Sequence, residues 1–407
     1  MKQAQAIQET PDRAKRLWLA FILGTLSAFG PFSLDMYLPA LTILAEDLNT
    51  TASYAQLSLT ACMLGLAIGQ LVAGPISDAR GRRGPLLVGL GLFSVSSVLC
   101  FIAPSIEMFV VMRFIQGAAG AAGIVISRAV VRDLYSGTEL TKFFSLLMLI
   151  NGAAPIIAPI AGGQLLTVTS WRGVFVVLTA IGVLSLIGVV LGLPESLSKD
   201  RRTEGGLRQT FKAFSAIMRD RVFMGYALAQ GFVGAAMFAY IAGSPFVLQK
   251  IYEVTPQTYS LIFAMNGAGI IIASQFAGRL AGRIGESRLL ITGLSIAGVG
   301  GVSLLLAILA DAPLVGILIP LFLVVSCVGI VNTASFGLAM QNQKNSAGSA
   351  SALLGVLTFL FGGLVAPLVG LGGEDTAVPM GIVIAAADVL AIVVYVLMIG
   401  LRSRKSS

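Results

Sequence analysis

The chain has 407 residues, of which 56% are hydrophobic and only 11% charged, and a formal net charge of +8; its mean hydropathy is +0.91. This balance excludes an ordinary soluble globular domain and points to an integral membrane protein. Histidine is absent, which excludes Ser-His and Cys-His triads and His-based zinc sites, and no G-x-x-x-x-G-K-[ST] phosphate loop occurs, so no nucleotide bound to this chain powers it.

A lipid-spanning helix needs about 20 apolar residues. Twelve stretches qualify, predicted at Leu17–Leu38, Ala52–Pro75, Pro85–Ala103, Ile106–Val131, Leu140–Val168, Gly173–Leu193, Val222–Leu248, Thr258–Leu280, Leu289–Ala310, Leu314–Met340, Ala347–Leu371 and Ala377–Leu401. The first follows Arg13, Lys15 and Arg16 but is too long for a signal peptide and lacks a small-residue cleavage site, so it is expected to remain as a helix. Cys62, Cys100 and Cys327 lie singly in apolar stretches and read as small core hydrophobes.

The basic residues fall in short clusters between the spans, without the interleaved aromatics of a nucleic-acid patch. All but three of the 27 lie on one set of alternate loops and at the termini; the exceptions are Arg113, Arg172 and Lys250. Both termini are therefore expected to be cytoplasmic. The longest hydrophilic stretch, Glu195 to Arg221, reads as a cytoplasmic linker (195–221) between two six-helix bundles, residues 1–194 and 222–407. Internal echoes agree: "GPISDARGRRGPLL" (Gly74–Leu87) matches "GRLAGRIGESRLL" (Gly278–Leu290), with Gly81 over Gly285 at an offset of 204, and "APIAGG" (Ala158–Gly163) matches "APLVGL" (Ala366–Leu371) at 208.

Three charges fall inside apolar spans, where a charge is costly and normally has a job. Asp35 sits in "GPFSLDMYLPAL" (Gly30–Leu41). If helix one continues past Pro39 to Ala45, Asp35 lies roughly 15 Å below its outer end, and Arg113 lies roughly 10 Å below the same surface. The two are expected to pair, directly or through water; the alternative, if the helix ends early, is a carboxylate near the aqueous surface. Burial raises a carboxylate's pKa and a cation lowers it, so such a pair suits a proton-binding site. Asp388, in the middle of the last span, is a possible second proton or cation site, a hydrogen-bond partner or an oligomer contact.

The loop "GPISDARGRR" (Gly74–Arg83) resembles the G-x-x-x-D-R-x-G-R-R signature of the major facilitator superfamily: Gly74, Asp78, Gly81, Arg82 and Arg83 fit, while Ala79 replaces the first arginine and Arg80 stands beside it. "RFIQGAAGAAG" (Arg113–Gly123) is similar to the fourth-helix motif of proton-coupled drug antiporters. "NGAAPIIAPIAGG" (Asn151–Gly163), with Gly152, Pro155, Pro159, Gly162 and Gly163, is similar to their fifth-helix motif. "DMYLPAL" and "VRDLY" (Val131–Tyr135) resemble the Bcr/CflA drug-resistance exporters.

The resemblance implies an all-α fold of twelve transmembrane helices in two parallel six-helix repeats around a central cavity, in a bacterial inner membrane. It implies no enzyme activity and no cofactor beyond a coupling proton, with drug and lipid as partners and a monomeric state. Asp35 and Arg113 would couple protons. Asp78 would act as a conformational latch against the start of helix eleven, capped by Ser346, with Arg82 and Arg83 as charge partners and Gly74, Arg80 and Gly81 completing the latch. Tyr37, Gln116, Met148, Asn151, Tyr226, Gln230, Phe238, Asn266, Asn332 and Phe359 are the expected cavity residues. The implied function is export of small, mostly apolar drugs, amphenicol- or bicyclomycin-like, in exchange for protons. A proton-coupled sugar, nucleoside or amino-acid transporter is the nearest alternative, although few Asn, Gln or Trp side chains offer the hydrogen bonds an oligohydroxyl ligand needs; a passive channel or receptor is more distant.

Overall fold

A computed structural model describes residues 13–202, 212, 214–341, 343 and 347–400. Among these no strand occurs, as lipid demands of a chain that is not a barrel. The helices are α1 (Arg13–Ser27), α2 (Phe29–Asp35), α3 (Leu41–Asp47), α4 (Ala52–Arg80), α5 (Arg83–Phe101), α6 (Ile106–Leu134), α7 (Gly137–Leu165), α8 (Arg172–Gly192), α9 (Arg221–Phe246), α10 (Pro256–Ile284), α11 (Glu286–Leu309), α12 (Leu314–Met340), α13 (Ala347–Val369) and α14 (Val378–Tyr395). Among the described residues ten helices are long and apolar enough to span a bilayer, and α1 with α2–α3 forms an eleventh, bent by 43°. In place of the expected fifth span stands α7, whose shorter apolar part is Leu149–Leu165. Transmembrane character is thus established for the chain, with the first span longer and more broken than predicted.

Prolines explain the breaks. Pro31 has no N–H to give Ser27, and Pro39 none to give Asp35, so the ladder fails twice within one span. The chain crosses the second gap in a 3₁₀ turn, Leu38–Ala40, and resumes as α3. Side chains start the later helices. Thr51 caps α4 by accepting from the Tyr54 N–H at 3.4 Å, and Asp220 caps α9 by accepting from Val222 and Phe223 at 2.9 and 3.2 Å.

Small residues set the closest crossings. A Cβ on Gly117 of α6 would stand 2.2 Å from the Cys62 carbonyl oxygen of α4, and one on Gly329 of α12 would stand 2.2 Å from that of Ile270 in α10. The backbones touch there, so only glycine fits. The same crossing thus recurs in α1–α8 and α9–α14. The backbone repeats it elsewhere: Gly81 (φ +96°) and Gly285 (φ +83°) end α4 and α10, 204 residues apart, and Asn49 (φ +49°) and Glu253 (φ +53°) show the same spacing. Positive φ at matched positions carries the faint sequence echo into geometry.

The two groups of helices meet where α4 packs on α13 and α7 on α10. One end of the seam is tied by polar contacts: Glu46 pairs with Lys250, its match at an offset of 204; Thr42 Oγ1 donates to Gln249 Oε1 at 3.4 Å; Gln56 Nε2 donates to the Ala242 carbonyl at 3.1 Å; and Gln257 Nε2 donates to the Gly163 carbonyl at 3.2 Å. This is called the Glu46 end below, and the opposite one the Gly81 end.

Candidate coupling and substrate site

The break after α2 builds the centre of the site. Asp35 is the last residue of α2 and is buried, as is Arg113 on α6. The early-ending alternative, with Asp35 near water, is therefore excluded. Arg113 does not pair with it. Its Nη2 donates to the Ser33 carbonyl at 2.6 Å, its Nη1 donates to Gln116 Oε1, and its guanidinium lies over the Tyr37 ring at 4.3 Å. Its donors have other partners. Both terminal nitrogens of the guanidinium are taken by the Ser33 carbonyl and Gln116, and its face lies on Tyr37, so the fork is already committed elsewhere. Among the described residues no hydrogen bond or ion pair reaches the Asp35 carboxyl. Of the two expected arrangements, the direct pair does not form.

Arg113 acts as a brace. Gln116 passes the connection on to Ser97 Oγ of α5 at 2.7 Å, while the Tyr37 hydroxyl shares a hydrogen bond with Ser58 of α4 at 2.9 Å. The Phe109, Trp171 and Phe175 rings close the stack edge to face at 5.2–6.0 Å. Tyr37 and Gln116, expected in the cavity, are thus internal members of the α1–α8 core, completely buried with their polar atoms engaged.

The chain just beyond Asp35 meets the other group of helices. The Leu38–Ala40 turn packs on α9, which carries Tyr240, and on α10, which carries Tyr259. Asn266 Nδ2 donates to the Tyr240 hydroxyl at 2.9 Å, and Ser244 and Tyr259 share a hydrogen bond at 3.2 Å. Asn266 was expected here; the two tyrosines and Ser244 were not. Tyrosine in an apolar run reads as packing, and only the meeting of two distant helices reveals the hydroxyl cluster.

The other expected cavity residues scatter. Phe238 and Phe359 do meet, at 5.9 Å between ring centroids. Asn151 bonds back to its own helix through the Leu147 carbonyl at 2.8 Å, and Gln230 has a buried Oε1 without a partner. Asn332 is half-buried on α12. Tyr226 sits in a second core at the Gly81 end with Leu289, Val331 and Leu354. The Met148 side chain lies outside the described residues.

In the fifth-helix motif, a Cβ on Gly162 would stand 1.8 Å from the Met36 carbonyl oxygen and one on Gly163 would stand 2.4 Å from Ser260 Oγ. That motif seats α7 against both the Asp35 turn and α10. Gly152 makes ordinary contact with Ile271 of α10, and Pro155 and Pro159 lie inside α7.

The Gly74–Arg83 loop closes on itself. Arg82 pairs with Asp78, with Asp133 of "VRDLY" at 2.9 Å and with Ser77 Oγ at 2.9 Å. Asp78 faces Arg82 one turn on rather than α13, and it is half exposed; the expected cap Ser346 lies outside the described residues. Arg83 Nη2 donates to the Val190 carbonyl at 2.7 Å. Glu195 was missed in the sequence. It accepts the Arg82 and Arg83 N–H groups at 2.7 and 3.2 Å and so caps α5 from 112 and 113 residues away. Burial opposes its carboxylate, but those donors, Leu197 N–H and Arg202 outweigh it and hold the pKa below the usual glutamate value.

Asp388 is buried within the single chain, which excludes an oligomer contact. A Cβ on Gly301 would stand 2.8 Å from its Oδ2, and neither oxygen has a hydrogen-bond partner among the described residues.

Among known proteins, an "Uncharacterized MFS-type transporter YdgK" of Bacillus subtilis is 46% identical over 93% of this chain and 95% of its own length. A "Bicyclomycin resistance protein homolog" of Haemophilus influenzae is 31% identical over 92% of this chain and 94% of its own. "Chloramphenicol resistance protein CraA" of Acinetobacter baumannii is 26% identical over 79% and 78%. Residues 20–367 match the Major Facilitator Superfamily; with its broken first helix, repeated crossings and seam between two helix groups, the chain belongs to that superfamily and is a multi-span membrane transporter, not an enzyme.

Proposed function

We propose that the protein exports small, mostly apolar drugs of the bicyclomycin or amphenicol type in exchange for protons. Both termini and the Gly81 end face the cytoplasm of a bacterial cell, and the Glu46 end faces outward. Residues 1–194 and 222–407 rock as two units about the seam. Resistance relatives support the substrate class, and the excess of basic residues at the Gly81 end supports the orientation. The observation that carries the coupling is Asp35, a buried carboxyl without a cationic partner among the described residues, three residues before the turn that touches the other helix group. Drug entering from the Gly81 end displaces the proton from Asp35, the seam opens at the Glu46 end, and reprotonation from outside expels the drug. Each proton entering down 100 mV supplies about 2.3 kcal/mol.

The test is drug-linked proton release from purified protein, with chloramphenicol and bicyclomycin as probes. The wild type should release about one proton per drug bound, by competitive linkage. Asp35→Asn should bind neutral drug without releasing a proton and should fail to export against a gradient, since an amide keeps hydrogen bonding but cannot titrate. Uphill export by Asp35→Asn sinks the coupling assignment.

A further inference from the structure

On the flank of α4, α5 and α6 runs a groove of about 620 Å³ lined by these three helices alone. Its walls are Ile68, Val88, Leu92 and Phe114, all exposed, and Gly89 and Ala122 keep its floor low. From Ile68 to Arg80 it follows about 18 Å of α4. That is close to the depth of one leaflet, about 15 Å of hydrocarbon.

The chemistry changes at the mouth, where Arg80 and Gly84 lie. The signature arginine is absent at Ala79, and Arg80 carries the charge one position on, about 100° round the helix. Its neighbours are engaged, Arg82 by two carboxylates and Arg83 by Val190. Arg80 is exposed and has no hydrogen bond or ion pair among the described residues. A leaflet-length apolar slot ending at an uncommitted guanidinium matches one amphiphile: a long apolar chain carrying a phosphate at the interface.

We propose that this groove binds an anionic phospholipid, with one acyl chain between α4 and α5 and the phosphate on Arg80. The apolar walls accept any lipid chain and the guanidinium selects the negative headgroup, with the bidentate geometry that suits phosphate. A free drug molecule would leave the cation unused. The site does not depend on which drug the protein exports.

Intact-complex mass spectrometry of delipidated protein, titrated with dioleoyl phosphatidylglycerol and with dioleoyl phosphatidylcholine, tests the assignment. The wild type should take up one phosphatidylglycerol about fivefold more tightly than phosphatidylcholine, the preference one basic residue near an anionic lipid provides. Arg80→Gln should bring that ratio to about one with unchanged thermal unfolding. At Gly84 a Cβ meets nothing within 4 Å, so Gly84→Leu should fold normally, obstruct the mouth and weaken both lipids. Equal binding of the two lipids by the wild type, an unchanged ratio in Arg80→Gln, or displacement of phosphatidylglycerol by chloramphenicol one for one would each overturn the proposal.

Discussion

Arg113 and Asp388 are both completely buried, yet their surroundings are opposite. Arg113 has a carbonyl, an amide and two aromatic faces around its guanidinium. Asp388 has no hydrogen bond to either oxygen, and α11 presses against it at Gly301. A buried charge in an apolar run is thus two different things at the level of sequence: a fastener whose contacts run through five helices, α2, α4, α5, α6 and α8, or an unmet demand in an otherwise plain helix pack. Burial alone does not separate them; the inventory of partners does.

The largest test of this contrast is Arg113→Ala. It leaves the Ser33 carbonyl and Gln116 unsatisfied in the core, a loss of roughly 2–5 kcal/mol, which thermal unfolding in detergent would read. Arg113→Lys should recover only part, because an ammonium cannot form the fork and stack on Tyr37 together. An unchanged melting temperature for Arg113→Ala would remove the brace from the account. At the other pole, Gly301→Ala should cost roughly 1–3 kcal/mol by crowding Asp388. Asp388→Ala should be near neutral, since the truncation leaves no partner behind. Combined, the two should cost less than their sum. Loss of drug-linked proton release in Asp388→Asn would instead make Asp388 a second proton site.

A surface charge sets the lower end of the scale. Because the folded-state pKa of Glu195 is depressed, its contribution is complete above about pH 4.3, the unfolded value, and is lost as pH falls through the lower folded value. Glu195→Gln should therefore cost under about 1 kcal/mol at pH 7 and nothing in strong acid. A difference between wild type and variant that grows as pH falls would contradict the capping role.

The spans were legible because lipid leaves the backbone few options, and the Gly81 and Gly285 echo was legible because positive φ restricts residue choice at the ends of α4 and α10. That Asp35 and Arg113 were unusual was equally plain. Their relation was not. Depth along two helices can be estimated from rise per residue, but facing depends on where Pro39 stops α2 and turns Tyr37 towards Arg113. Glu195 was invisible for another reason: it lies in a hydrophilic stretch that read as linker, and its partners are more than a hundred residues away. The Tyr240 and Tyr259 hydroxyls likewise became informative only when α9 and α10 met the Asp35 turn.

The Glu46–Lys250 pair carries a consequence for how closely the two repeats can match. The two residues occupy matched positions of the two repeats, 204 apart, and touch each other. Matched positions meet only beside an axis that relates the halves by a twofold turn. A chain made of two identical copies would bring like against like there, Glu on Glu or Lys on Lys, and would push itself apart at that spot. Opposite charges at that contact therefore mark a place where the two repeats have to differ in order to attract, however faithfully the rest of the fold repeats.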